Sequence, residues 1–243
     1  LVGDKRAVEA DGTVEGIISE QQHSGNWLPV SKDSESLLIR QTYRHRELEE
    51  PAEITIERLD TYAVPAPLEL MTAIAHFEKA IAFYRNTTRM FADWSRKISE
   101  QPNTLPLWDQ AFCQRVGGDP NILYYHGHFK LQTDEAMVIT LPEIPKCQTW
   151  NIQVDNDWME SLDYRYHRVS LNQAQAEVSH TGSVTIVLSG VNPGCSNWIS
   201  TAGHREGTLC FRWVGAEGCV DPQVVVIPLN KVLDNKQLGL SQT

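Results

Sequence analysis

The chain has 243 residues, a formal net charge of -10 with histidines neutral, 41% apolar residues and 21% charged ones. A chain of this size can bury roughly 70% of its unfolded surface in one large β-rich domain or two small ones, so neither a disulfide nor a metal is needed for stability. Lys and Arg are scattered without a basic stripe, which argues against a nucleic-acid partner, and no apolar run approaches the roughly 18 residues that span a bilayer, which argues against a membrane one.

The opening stretch, Leu1-Val2-Gly3-Asp4-Lys5-Arg6, does not form a signal peptide. The chain lacks an initiating Met, so we expect a fragment or a processed form, and an upstream targeting signal is not excluded. Cys113, Cys147, Cys195, Cys210 and Cys219 are odd in number and contain no C-x-x-C pair. That disfavours a zinc knuckle and a disulfide framework and favours a reducing, cytoplasmic compartment. The compartment itself stays open. Asn86-Thr87-Thr88 is a formal glycosylation acceptor, but it falls inside a helical pattern and is read as accidental.

Asp11-Gly12 is a turn signal ahead of Val14, Ile17 and Ile18, predicting a strand entry there. Further strands are expected over Ser36–Tyr43 and Ala52–Leu59, the second from the alternation of Ile54 and Ile56 with Thr55 and Glu57. Between Leu68 and Ile98 the apolar residues step by threes and fours, which predicts one long amphipathic helix. Pro65 and Pro67 precede it, Glu69 is placed in its first turn and Pro102 closes it. Its stripe is read as the face of a helix lying across a sheet. Strands then return at Ile122–Tyr125, Ala136–Thr140, Thr149–Val154, Ser183–Ser189, Thr208–Val214 and Gln223–Ile227. The expected fold is mainly β, a jelly-roll-like β-sandwich with one long amphipathic α-helix inserted. Its expected parts are a first β unit over 1–62, the helix insertion over 63–103, a second β unit over 104–230 and a mobile tail over 231–243.

Two strand–turn–strand units share a pattern. Gly12-Thr13-Val14 aligns with Gly182-Ser183-Val184 and Ser19 with Ser189; after a one-residue gap, Asn26-Trp27 aligns with Asn197-Trp198, Glu35 with Glu206 and Leu38 with Leu209. Preserved order and spacing of this kind are what duplicated architectures leave behind.

The runs Thr149–Gln153, Trp158–Tyr164 and Val169–Asn172, together with Asn197-Trp198, Thr201-Ala202-Gly203-His204 and Gly207, resemble the domain-of-unknown-function family 1214. That family often accompanies another uncharacterised domain, numbered 1254. Gly25–Pro29 and the Pro-flanked helix are also similar to its members. The resemblance implies a jelly-roll-like, frequently oligomeric β fold and no established reaction. It also implies further residues upstream of Leu1. The first unit has Val30–Asp33 where the second has Thr201–His204, so a site is expected in the second.

Three groups of residues could carry chemistry. His126-Gly127-His128 places two imidazoles on one strand face, their Cα atoms roughly 7 Å apart, which suits joint metal coordination. The plainer reading is a hydrogen-bonded or exposed pair beside a tight turn at Gly127. His204 with Thr201, Asn197 and Arg205 forms a polar loop cluster that could supply catalysis with Asp163, Glu160 or Arg212. Its plainer reading is that Asn and Thr satisfy loop backbone groups. Asp155, Asp157, Glu160 and Asp163 crowd one stretch but miss the calcium-loop spacing, while Trp158 and Tyr164 would suit ring stacking.

The preferred function is therefore a ligand-binding β-sandwich, for a carbohydrate or small organic molecule, or an assembly-forming one, with Asn197, Trp198, Thr201, Trp158 and Tyr164 at the ligand and no cofactor. The alternatives are a hydrolase or lyase using His204, Asp163 and Arg212, and a cupin-like enzyme holding a divalent metal at His126 and His128. A homo-oligomer is expected in each case.

Overall fold

The computed structural model of the chain describes residues 7–34, 37–59 and 67–234. The chain divides into two compact units, Leu1–Tyr43 with Pro51–Glu53 and Arg44–Glu50 with Ile54–Thr243.

In the larger unit, alternating strands build two four-stranded sheets. β4 (Glu135–Leu141), β7 (Val184–Ser189), β8 (Trp198–Ser200) and β10 (Gln223–Pro228) form one, in the order β10-β4-β7-β8. β3 (Ile122–Lys130), β5 (Thr149–Asp155), β6 (Ser170–Asn172) and β9 (Glu206–Val214) form the other, in the order β3-β9-β5-β6. Neither sheet closes into a barrel. Because side chains alternate between faces, every second residue enters a single core: Tyr125 and Phe129 of β3, Trp150 and Ile152 of β5, Leu209, Phe211 and Trp213 of β9, facing Met137, Ile139, Val184, Ile186 and Leu188 of the opposite sheet. The expected mainly β fold with one long helix is confirmed.

β3 runs past its predicted end at Tyr125 and includes His126-Gly127-His128, so there is no turn at Gly127. Gly127 stands opposite Leu209 in the ladder, and a Cβ there would run into the Thr104 carbonyl and Leu105. The glycine is needed because the segment from Pro102 to Thr104 bridges to His128 directly across it.

The predicted helix is α1 (Leu70–Ser99), followed by the short α2 (Gln110–Arg115). Glu69 is its N-cap and not a first-turn residue, and its side chain makes no capping bond. Pro65 lies outside the described residues, and so does 235–243 of the predicted tail; 229–234 is a helix, α3. Only the last turns of α1 lie on a sheet: Trp94 and Ile98 pack with Cys113, Tyr124 and Cys210. Earlier apolar residues, among them Leu70, Ile74, Phe77 and Ile81, remain exposed.

In the smaller unit β1 (Ile17–Ser19) pairs in parallel with β2 (Trp27–Pro29). The strands predicted over 36–43 and 52–59 are absent at 37–43 and 52–59, and Ser36 lies outside the described residues. Their alternation is real, but a strand also requires a ladder partner for its backbone groups, and none is present among the described residues.

Candidate ligand site on the outer face of the second sheet

Alternation that sends Tyr125, Phe211 and Ile152 into the core sends a polar set to the other face of the same sheet. Register aligns Tyr124, Arg212 and Asn151 in one row, His126, Cys210 and Gln153 in the next, and His128, Thr208 and Asp155 in a third. The Arg212 guanidinium donates to the side-chain oxygens of Asn151, at 3.1 Å, and Gln153, at 3.0 Å. Gln153 in turn donates to Asp155 at 2.8 Å. Burial pushes the Asp155 carboxyl up to about 6, against the smaller opposing pull of Gln153 and Arg212. Burial likewise raises the Cys210 thiol to about 11, so it is a thiol at neutral pH.

The end of α1 rests on this face and parts the two histidines into separate cavities. His126 lines one of about 760 Å³ with Trp94, Ile98, Leu107, Trp108 and Phe112, whose wall also carries the charged Asp93, Lys97, Glu100, Asp109 and Arg115. His128 lines one of about 420 Å³ with Ser95, Lys130, Asp157, Trp158 and Glu206. His128 Nε2 lies 3.2 Å from Asp157 Oδ1, and Lys130 pairs with Glu206 at 2.9 Å.

His126 is 4% exposed and boxed by aromatic rings: Trp94 edge-on at 4.8 Å, Trp108 edge-on at 5.9 Å and Tyr124 stacked at 6.4 Å. Its Nδ1 and the Trp94 Nε1 are buried without a hydrogen-bond partner. Burial, reinforced by the Arg212 charge, pulls the imidazole down to about 3, so it is neutral at physiological pH. A neutral imidazole offers one donor and one acceptor. Among these rings it can orient an uncharged ligand by hydrogen bonding.

The other predicted site residues lie elsewhere. His204 is exposed in a turn, its backbone N–H donated to Thr201 O. Arg212 is six residues into β9 from Glu206, about 20 Å along the strand at its usual rise, so the structure does not bring Arg212 to His204. Asp163 is taken by Arg165, at 2.9 Å and 3.0 Å. Asn197 and Thr201 are buried, and the Asn197 amide is spent on the backbone of Glu177 and Thr185. The Trp198 indole donates to Ser189 Oγ. Trp158 is exposed beside the His128 cavity, and Tyr164 is exposed beneath the Arg46 guanidinium. Among the described residues no three His, Cys, Asp or Glu side chains are grouped to hold a metal ion, and no helix is long and apolar enough to cross a membrane. Sequence reasoning missed Trp94 and Trp108 as site residues and named Asp155 only as one of an acidic stretch. For Asp155, the alternation within 149–155 carried the signal that sets it on the polar face.

Fold and site together define a two-sheet β protein whose second sheet bears a polar outer face capped by a helix. Residues 126–217, which include both histidines, Asp155 and Arg212, match the family described as protein of unknown function (DUF1214). It is similar to an uncharacterized protein from Burkholderia cenocepacia of known crystal structure, at 43% identity over 94% of this chain, with a TM-score of 0.90. The present chain spans 64% of that protein. The VPA0106 protein of Vibrio parahaemolyticus aligns over 47% of this chain and 33% of its own, at 16% identity and a TM-score of 0.37. No curated protein matches the chain.

Proposed function

We propose that this protein binds a small uncharged organic molecule in the cavity lined by His126. The observation that carries this reading is a buried, neutral imidazole on the wall of a cavity of about 760 Å³ that Trp94, Trp108 and Phe112 also line, a volume in the range of ligand pockets. Trp94, Trp108 and Phe112 would bury the flat apolar body of the ligand, and His126 would supply the hydrogen bond that fixes its orientation.

N-phenyl-1-naphthylamine is a fitting probe, because it is uncharged, aromatic, carries one N–H and brightens when desolvated. Saturable brightening, with energy transfer from tryptophan, is expected; His126→Phe should weaken it about tenfold, the worth of one buried hydrogen bond. Absence of saturable binding, or equal affinity in the variant, would dismiss the reading. A purified protein carrying one equivalent of divalent metal would favour the metal alternative at His126 and His128 instead.

A second reading, assembly, is supported by α1. Leu70, Ile74, Phe77 and Ile81 repeat at helical spacing and are 41–75% exposed. Sedimentation should then show an oligomer that Phe77→Glu converts to a monomer. The two sheets over one core also support a jelly-roll-like reading of the scaffold.

A further inference from the structure

We infer that β1–β2 and β7–β8 are two copies of one module, and that the open edge of β1 receives an antiparallel strand built like β4 from a further polypeptide segment. The copies agree bond by bond. Asn26 accepts from the Ala7 N–H and donates to the carbonyls of Ala7 and Glu15; Asn197 accepts from the Glu177 N–H and donates to the carbonyls of Glu177 and Thr185. Ile17 N–H goes to Asn26 O as Val187 N–H goes to Asn197 O. Both tryptophans donate to a serine, Trp27 to Ser19 Oγ and Trp198 to Ser189 Oγ, and each serine donates onward two residues, to Gln21 O and Val191 O. Gly12 and Gly182 close the preceding turn at φ 88° and 85°.

What differs is what covers them. β7 is held on its other edge by β4, antiparallel, from Val184 opposite Leu141 to Leu188 opposite Met137. β1 has only β2 among the described residues. Val14 and Ile18 are accordingly 40% and 44% exposed, where their counterparts Val184 and Leu188 are fully buried. Residues 37–43 follow β2 at the spacing at which Thr208–Val214 of β9 follow β8, and β9 is held by β3 and β5. The occupant of the β1 edge is therefore a strand with the apolar alternation of β4. The Burkholderia relative, of which this chain spans 64%, has the additional polypeptide to supply one.

The test is amide exchange by NMR on the full chain, with a Lys-tailed peptide of sequence 134–142 as probe. Because the Ile17 N–H serves β2, its neighbours Gly16 and Ile18, and Val14 two further back, face the open edge. Saturating peptide should slow exchange at these three amides roughly tenfold or more. Ile18→Pro, which removes an edge donor without touching the Ile17 bond, should abolish protection at Val14 and Gly16. No slowing with the peptide, equal slowing with a scrambled peptide, or protection that survives Ile18→Pro would each overturn the inference.

Discussion

The imidazole of His126 stands edge-on to the indole of Trp94, with ring centroids 4.8 Å apart and planes at 68°. Neither ring's buried nitrogen, His126 Nδ1 or Trp94 Nε1, has a partner. Trp94→Phe keeps the aromatic contact and removes one orphaned donor. It should leave stability unchanged or slightly higher by urea denaturation while weakening probe binding.

His126 and Asp155 respond to pH in opposite directions. Folding lowers His126 from 6.5 to about 3, so its contribution is complete above pH 6.5 and is lost as pH falls toward 3. Folding raises Asp155 from 3.8 to about 6, so its contribution is present below pH 3.8 and is lost as pH rises through 6. Each slope is at most about 1.4 kcal/mol per pH unit, and between about pH 4 and 6 they offset one another. Urea denaturation across that window should therefore find His126→Phe gaining stability relative to wild type as pH falls, and Asp155→Asn losing it.

Arg212 links these two groups. Arg212→Met strips the partner from Asn151 and Gln153 on a half-buried face, a loss of about 1–3 kcal/mol. It also removes a positive charge that lowers both His126 and Asp155. NMR titration of the variant should show both groups titrating at higher pH than in wild type.

Asn26 and Asn197 should differ in weight. Asn197 is 7% exposed and Asn26 is more open to water. Asn197→Ala leaves three backbone groups of Glu177 and Thr185 without their partner and should cost about 2–4 kcal/mol. Asn26→Ala, whose orphaned groups can turn to solvent, should cost about 1 kcal/mol. Thermal and urea unfolding of the two variants compares them.

Much of the larger unit was legible because period-two alternation and the three–four stepping of α1 report which faces are apolar. That is why Trp150, Ile152 and Val154 point inward and Asp155 ends on the outer sheet face. The signal fails where partners decide. Ile54 and Ile56 alternate as a strand does, yet no strand among the described residues receives them, and the stripe on α1 reports an apolar face without telling that Trp94 and Ile98 near its end are what buries it. The histidines were legible as a same-face pair. Their division between two cavities was not, because it depends on where α1 comes to rest, some thirty residues away in sequence.

The most direct test of ligand binding is a crystal of the protein soaked with N-phenyl-1-naphthylamine at the concentration that saturates its fluorescence. The account predicts the naphthyl ring between Trp94 and Trp108, with its N–H on the His126 imidazole. Probe density elsewhere on the molecule, with the His126 cavity lacking it, would contradict it.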